Sequence, residues 1–290
     1  MLKIGCHVKY SAANKYLLGA LDEAKGYGAN CFMIFLGAPH NTRRADFEKM
    51  FYNEFCEKLK TDDISIDDVV VHLPYIVNMG NYRKQEVINF SIEFIISEIL
   101  TADKIGIKKL VLHPGSKLDG DLNLSLDSLA DSLNKIIAKT KNSKSIICLE
   151  TMAGKGNEIG KNFEQLAYVI EKVIDKSRIG VCFDTCHLHD AGYDLSNFDA
   201  VINQFDQVVG IEYLQVIHLN DSKNIIGAHK DRHENIGYGE IGFENLLNVV
   251  YHEKTKSILK ILETPFIGDR CVYKEEIENI KNKKFVDFLR

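Results

Sequence analysis

Six successive short apolar runs in this sequence each end on a histidine or a carboxylate. Val69-Val70-Val71 is followed by His72, Leu110-Val111-Leu112 by His113, Ile147-Cys148-Leu149 by Glu150 and Val181-Cys182-Phe183 by Asp184. Gln215-Val216-Ile217 is followed by His218, and Lys260-Ile261-Leu262 by Glu263. Runs this short, apolar on both faces, read as buried parallel strands. With two earlier runs they make eight, expected at 3–8, 30–36, 68–73, 109–113, 145–150, 178–184, 215–220 and 258–263. Between them lie apolar stripes at helical spacing: Phe47, Met50, Phe51, Phe55, Leu59; Val87, Phe90, Phe94, Ile95, Ile99; and Phe163, Leu166, Ala167, Ile170, Val173. Two more follow, Phe198, Val201, Ile202, Phe205 and Phe243, Leu246, Leu247, Val250. Strands alternating with amphipathic helices imply βα units and a parallel sheet. Eight units predict an α/β fold, a closed TIM (β/α)8 barrel, with an open doubly wound sheet as the alternative. The 290 residues contain no linker or low-complexity tract and fit one barrel domain spanning 1–290.

In such a barrel the strand C-termini converge on one face. All four prolines, Pro39, Pro74, Pro114 and Pro265, lie just past strand ends, where a residue without an N–H terminates the ladder and stiffens the loop. One histidine at a strand end is more often a satisfied polar residue than a ligand. Six metal-ligand residues around one rim reverse that reading, because crowded carboxylates without cations cost several kcal/mol in repulsion and desolvation. His187, three residues past Asp184, extends the set, as do Asp231 and His233 if their loop is extended. The mixture of imidazole and carboxylate favours Zn, Mn or Fe over Mg or Ca. Nine ligands fit two or three ions, and clustered metals suit phosphoester hydrolysis. Cys182 and Cys186 are read as non-ligands, Cys182 as core filler expected to point away from the Asp184 rim and Cys186 as lacking a partner thiol.

These residues stand in motifs that resemble the endonuclease IV family: Val-His72-Leu-Pro-Tyr-Ile-Val-Asn, Leu-His113-Pro-Gly-Ser, Leu-Glu150-Thr-Met-Ala-Gly-Lys-Gly and Cys-Phe-Asp184-Thr-Cys-His187. His218-Leu-Asn-Asp-Ser-Lys, Asp231-Arg-His233-Glu-Asn-Ile-Gly and Glu263-Thr-Pro continue the match, which runs from Gly-Cys-His7-Val to the Lys-Glu-Glu-Ile tail. The resemblance implies a DNA repair enzyme that cuts 5′ to apurinic/apyrimidinic sites, leaving a 3′-hydroxyl and a 5′-deoxyribose phosphate. It implies three zinc ions per chain, with partial replacement by manganese: His72, His113 and Glu150 on the first, Glu150, Asp184, His218 and Glu263 on the second, and His187, Asp231 and His233 on the third. Glu150 and Glu263 are the expected catalytic carboxylates, and Arg43, Arg44 and Tyr75 the expected DNA contacts. The sequence departs from the family pattern at Lys9, His40 and Tyr238, none of them a matched ligand.

The strongest rival is a metal-dependent sugar isomerase or epimerase on a related barrel, which would use Glu150, Asp184, His218 and Glu263 and leave the other five ligands surplus. A formal charge of −5 argues against a polyanionic partner only for the metal-free chain, since three Zn²⁺ would bring it to +1. Lys9, Arg43, Arg44, Arg83, Lys84, Lys155, Lys223, Lys230, Arg232 and Arg270 all follow strand ends, so the expected mouth is positive. Seven scattered cysteines, no membrane-length apolar run and a start without a secretory apolar stretch lead us to expect a cytoplasmic, reduced protein. We expect a monomer, and the resemblance implies double-stranded DNA with abasic sites as its partner.

Overall fold

Every expected strand forms in the computed structural model, which describes residues 2–289. They are β1 (Ile4–His7), β2 (Phe32–Ile34), β3 (Val69–His72), β4 (Lys109–Leu112), β5 (Ile146–Glu150), β6 (Ile179–Asp184), β7 (Leu214–His218) and β8 (Leu259–Leu262). All pair in parallel, and β1 pairs on both sides, Gly5 opposite Ile261 of β8 and Cys6 opposite Phe32 of β2. The sheet is therefore a closed barrel, and the open doubly wound alternative is excluded.

Side-chain alternation sorts the strand residues into two cores. In β3, Val69 and Val71 join the layer between strands and helices, while Val70 faces the barrel interior. The interior is filled in the same way by Met33, Val111, Cys148, Cys182, Val216 and Ile261. The equivalent position in β1 is Gly5, where a Cβ would sit 1.7 Å from the Cys31 carbonyl oxygen, so only glycine lets β1 approach β2. Two residues further along each strand direction stand His7, Phe35, His72, His113, Glu150, Asp184, His218 and Glu263. Period-2 geometry thus aims all eight into the same mouth. Cys182 shares this parity with Asp184, so it lies beneath the rim on the same face rather than pointing away.

Nine helices surround the barrel among the described residues: α1 (Tyr16–Gly26), α2 (Tyr52–Leu59), α3 (Gln85–Ile105), α4 (Leu122–Lys139), α5 (Phe163–Lys172), α6 (Thr185–Ala191), α7 (Phe198–Val208), α8 (Phe243–Tyr251) and α9 (Tyr273–Asn282). Local chemistry marks their ends. Asn162 and Asp121 cap α5 and α4 through the Gln165 and Leu124 N–H groups, and Gly106 ends α3 at φ +96°. The stripe from Phe47 to Leu59 does not form one helix. Phe47–Lys49 is a 3₁₀ turn, Phe51 takes φ +56° and is exposed, and α2 starts only at Tyr52. Met50 is turned inward there, and its carbonyl accepts the Leu17 N–H of α1. Among the described residues no helix is long and apolar enough to cross a membrane, and all seven cysteines are free thiols.

Candidate metal centre

The nine side chains singled out in the sequence converge above the interior layer. Glu150 is the hub. Its Oε2 lies 3.3 Å from His72 Nε2 and 3.1 Å from His113 Nε2. Its Oε1 lies 3.3 Å from His187 Nδ1 and 3.1 Å from His218 Nδ1, which is also 3.0 Å from Glu263 Oε2. His187 Nε2 stands 3.0 Å from Asp231 Oδ1, and His233 Nε2 stands 3.6 Å from both Asp231 Oδ1 and Asp184 Oδ2. Donor atoms come within 4.8 Å of one another in the groups His72–His113–Glu150, Glu150–Asp184–His218–Glu263 and His187–Asp231–His233. Asp184, Cys186 and His233 form a further group, but burial pushes the Cys186 thiol well up, which disfavours the thiolate that binds metal.

Backbone carbonyls fix the orientation of three rings. Nδ1 of His72 meets the Leu73 carbonyl at 2.6 Å, Nδ1 of His187 the Thr151 carbonyl at 2.8 Å, and Nδ1 of His233 the Glu263 carbonyl at 3.2 Å. A carbonyl only accepts, so each Nδ1 donates and each neutral ring presents its Nε2 lone pair to the centre. A lone pair 3.0 Å from the Asp231 carboxylate is stable only with a cation, a proton or a metal ion, between the two. Buried His233 Nε2 has no hydrogen-bond partner, which a metal ion would supply. This is how metal-ligating histidines are held. Burial opposes charging His187, yet Asp184, Asp231 and Glu150 outweigh it and lift the imidazole well above its ordinary range. Burial likewise raises Glu150, but His218 and His113 prevail and hold its carboxyl well below the usual range. Among the described residues no lysine or arginine pairs with any of the four carboxylates. Their compensation is left to imidazoles and to cations from solution.

One wall of the centre is closed and the other open. His72, Glu150, Asp184, His187 and His218 are buried, while the side chains of His113 and Asp231 are 27% and 29% exposed. A substrate therefore approaches past His113, Asp231, His233 and Glu263. Tyr75 stands at that opening, 42% exposed, its ring 4.9 Å from His113 and 5.9 Å from His40.

Five local findings revise or extend the sequence reading. The loop is not extended at Asp231: His229 and Asp231 adopt φ +53° and +56°, so the chain coils from His229 to Asp231 before His233 pairs antiparallel with Ser222. Arg44 is a structural cation. Its Nε lies 2.7 Å from Glu98, its guanidinium stacks 4.8 Å from the Phe94 ring, and only Arg43 of the pair is exposed. The mouth is less positive than counted, because Arg83 pairs with Asp119, Lys223 with Glu234 and Arg270 with Glu275. Residues without a role in the sequence reading support the centre. Asn220 donates to Asp184 at 2.7 Å and accepts the Glu263 N–H at 2.8 Å, and His7 sits beside Phe35 with its pKa pushed down to about 4 by burial against the pull of Glu263. His7 stands two residues past Gly5, so strand parity alone could have found it. Tyr238, where the family pattern is acidic, donates to Asp287 and packs on Phe285 and Phe288, fastening the C-terminal segment.

Comparison with known proteins places this geometry. The family model described as xylose isomerase-like TIM barrel matches residues 21–283. A protein of Bacillus licheniformis named probable endonuclease 4 is 47% identical over 295 residues, covering 100% of this chain and 98% of that protein. One of the same name from Mycoplasmoides gallisepticum is 49% identical over 297 residues, covering 99% and 96%. The crystal structure of endonuclease IV from Thermus thermophilus superposes with a TM-score of 0.83 at 27% identity, covering 97% of this chain and 98% of that one. A D-tagatose 3-epimerase-like protein gives a TM-score of 0.71 at 20% identity over 97% and 99%, a likeness of fold alone. Matched along its whole length, this chain is an enzyme that belongs to the endonuclease IV family within the xylose isomerase-like TIM barrels.

Proposed function

We propose that this protein hydrolyses the phosphodiester on the 5′ side of an apurinic/apyrimidinic site in double-stranded DNA, leaving a 3′-hydroxyl and a 5′-deoxyribose phosphate. The observation that carries this reading is the nine-donor centre at an open barrel mouth, in a chain of the endonuclease IV family. Three zinc ions, some replaceable by manganese, would be held by His72, His113 and Glu150, by Glu150, Asp184, His218 and Glu263, and by His187, Asp231 and His233. The donor chemistry fits: imidazole nitrogens of five histidines face four carboxylates that, among the described residues, no lysine or arginine pairs with. When bound, such ions supply Lewis acidity toward phosphate oxygens and an activated water at neutral pH.

The chain's own groups do the rest. Glu150 uses both oxygens and so ties the first two donor groups together. The carbonyls of Leu73, Thr151 and Glu263 hold the imidazoles of His72, His187 and His233 in one tautomer. The buried wall excludes water behind the centre, and the side chains of His113, Asp231, His233 and Glu263 leave the front open to a phosphate. Arg43, exposed in the loop after β2, would contact the DNA backbone, and the exposed Tyr75 would fill the gap where a base is missing. Arg44 is withdrawn from this role by Glu98.

The test is incision of a duplex carrying a single abasic site by metal-replete protein. We expect a nick 5′ to the lesion with a 3′ end that a polymerase extends. Binding without cleavage would refute the assignment. A zinc content near one per chain together with aldose–ketose turnover would favour the sugar isomerase, for which the other five donors have no use.

A further inference from the structure

The third donor group differs from the others in origin. His187 lies on α6, but Asp231 and His233 come from the long connection between β7 and β8, not from a strand end. Its coiled backbone includes two non-glycine residues, His229 and Asp231, in the left-handed region, a conformation that persists only where the surroundings enforce it. The enforcing contacts converge on one side chain. Asp190, three residues past His187 on α6, is fully buried. Its Oδ1 accepts from Ser222 Oγ at 2.7 Å. Its Oδ2 accepts from Asn224 Nδ2 at 2.9 Å, from the Lys230 N–H at 3.2 Å and from the Asp231 N–H at 2.8 Å. Neighbouring backbone follows the same path. The His229 N–H donates to the Asp190 carbonyl at 3.0 Å, the Gly227 N–H to the His189 carbonyl at 3.0 Å, and His189 Nε2 to the Asn224 carbonyl at 3.0 Å.

Helix stability does not explain this carboxylate. It sits in the last turn of α6, the negative end of the helix dipole, and among the described residues it pairs with no lysine, arginine or histidine. What it has instead are donors from the loop. Resting on the three-group reading above, we infer that Asp190 is the positioning residue of the third metal group. By gripping the Asp231 N–H from the helix that carries His187, it sets both sides of that group from a single rigid element. The Asp231 carboxylate then meets His187 Nε2 at 3.0 Å because the loop is fastened to α6, and affinity for the third ion depends on that fastening.

Zinc release from the holoenzyme to a chromogenic chelator, counted in equivalents per chain, tests this. In Asp190→Ala one equivalent of three is expected to leave roughly 10- to 100-fold faster, the range for loss of a group that orients a ligand, while the other two leave at the wild-type rate. Asp190→Asn keeps a carbonyl oxygen for the Oδ2 donors and can turn its amide toward the Ser222 hydroxyl, which also accepts, so all three equivalents are expected to stay slow. Wild-type release of all three from Asp190→Ala overturns the inference, as does equal acceleration of all three or an Asn variant no slower than the Ala variant. Should Asp190→Ala not fold, Asn224→Ala removes one donor and leaves the carboxylate. Selective release of one equivalent, several-fold faster, is then expected, and wild-type release refutes. A wild-type protein holding fewer than three zinc ions refutes the three-group reading itself, and does so before any variant is made.

Discussion

Among the described residues Lys260 is the largest fully buried charged side chain, and replacing it should stabilise the barrel. It lies on β8 between Leu259 and Ile261, which face the interior, so its own side chain enters the helix layer. Its Nζ donates to the Thr255 carbonyl at 2.5 Å, and among the described residues it pairs with no carboxylate. Burial lowers its pKa from 10.5 to about 8. That displacement of roughly 2.5 units corresponds to about 3 kcal/mol of unfavourable charging, at 1.36 kcal/mol per unit. The sign follows from proton linkage: between pH 8 and 10.5 the unfolded chain binds more protons, so stability rises with pH across that window. The full cost is present below about pH 8 and vanishes near pH 10.5. Lys260→Met removes it while keeping the volume, and the Thr255 carbonyl retains the Ile258 N–H as a donor. Urea denaturation of the two proteins should show the variant more stable by about 3 kcal/mol at pH 7, about 2 at pH 9 and under about 1 at pH 10. A variant less stable than wild type at pH 7, or a difference constant from pH 7 to 10, would refute the reasoning.

Glu263→Ala should abolish abasic-site incision and leave the circular dichroism spectrum unchanged; wild-type activity in that variant would contradict its place between His218 and the open mouth. Stripping metal with a chelator should stop incision, and adding zinc back should restore it, with activity that survives stripping counting against the proposed centre. Arg44→Ala leaves Glu98 buried without its cation and should destabilise by about 3 kcal/mol in chemical denaturation. Arg43→Ala should change stability by less than about 0.5 kcal/mol yet flatten the salt dependence of duplex binding by about one unit of slope in fluorescence anisotropy. Burial raises the Glu276 carboxyl to about 7, so the folded state holds the extra proton and stability falls as pH climbs from about 4.5 to 7. Glu276→Gln should therefore gain on wild type between pH 5 and 8, a trend read from urea midpoints and refuted by one of opposite sign.

The fold and most of the centre were legible because both follow from one periodicity. Alternation along buried strands places His72, His113, Glu150, Asp184, His218 and Glu263 on one face, and their residue types then declare the chemistry. The same rule reaches His7, but β1 is short and flanked by Lys3 and Lys9, so its end did not stand out. Phe35 completes the ring without being a ligand type. Where periodicity stops, sequence reasoning weakened. Phe51 carries helical spacing yet takes a left-handed turn and is exposed, while Met50 and Phe55 on either side of it are buried. Arg44 reads as a free loop cation until Glu98, 54 residues away on α3, is seen beneath it. Asp231 and His233 have the right spacing, but nothing local announces the coil that presents them.

That coil belongs to a wider arrangement of charge in the β7–β8 connection. Asp190 accepts four donors from it, and Asp221 accepts the Gly237, Gly239 and Ile241 N–H groups. Glu276 accepts the Ile236 N–H, the Asn235 amide and the Thr264 hydroxyl. Gly239 is required there, since a Cβ would stand 2.4 Å from the Ser222 carbonyl oxygen and 2.5 Å from Asp221 Oδ1. All three anchors are buried carboxylates satisfied by N–H and O–H donors rather than by lysine or arginine. Desolvating them costs several kcal/mol, which only several hydrogen bonds each can offset. The consequence is electrostatic. Because neither the anchors nor the metal-centre carboxylates draw in cations, Arg43, Lys155, Lys230 and Arg232 stay exposed in loops after the strand ends. Part of the acidity behind the formal charge of −5 is therefore turned inward toward imidazoles and backbone amides, while these four bases face the solvent from which a polyanion would arrive.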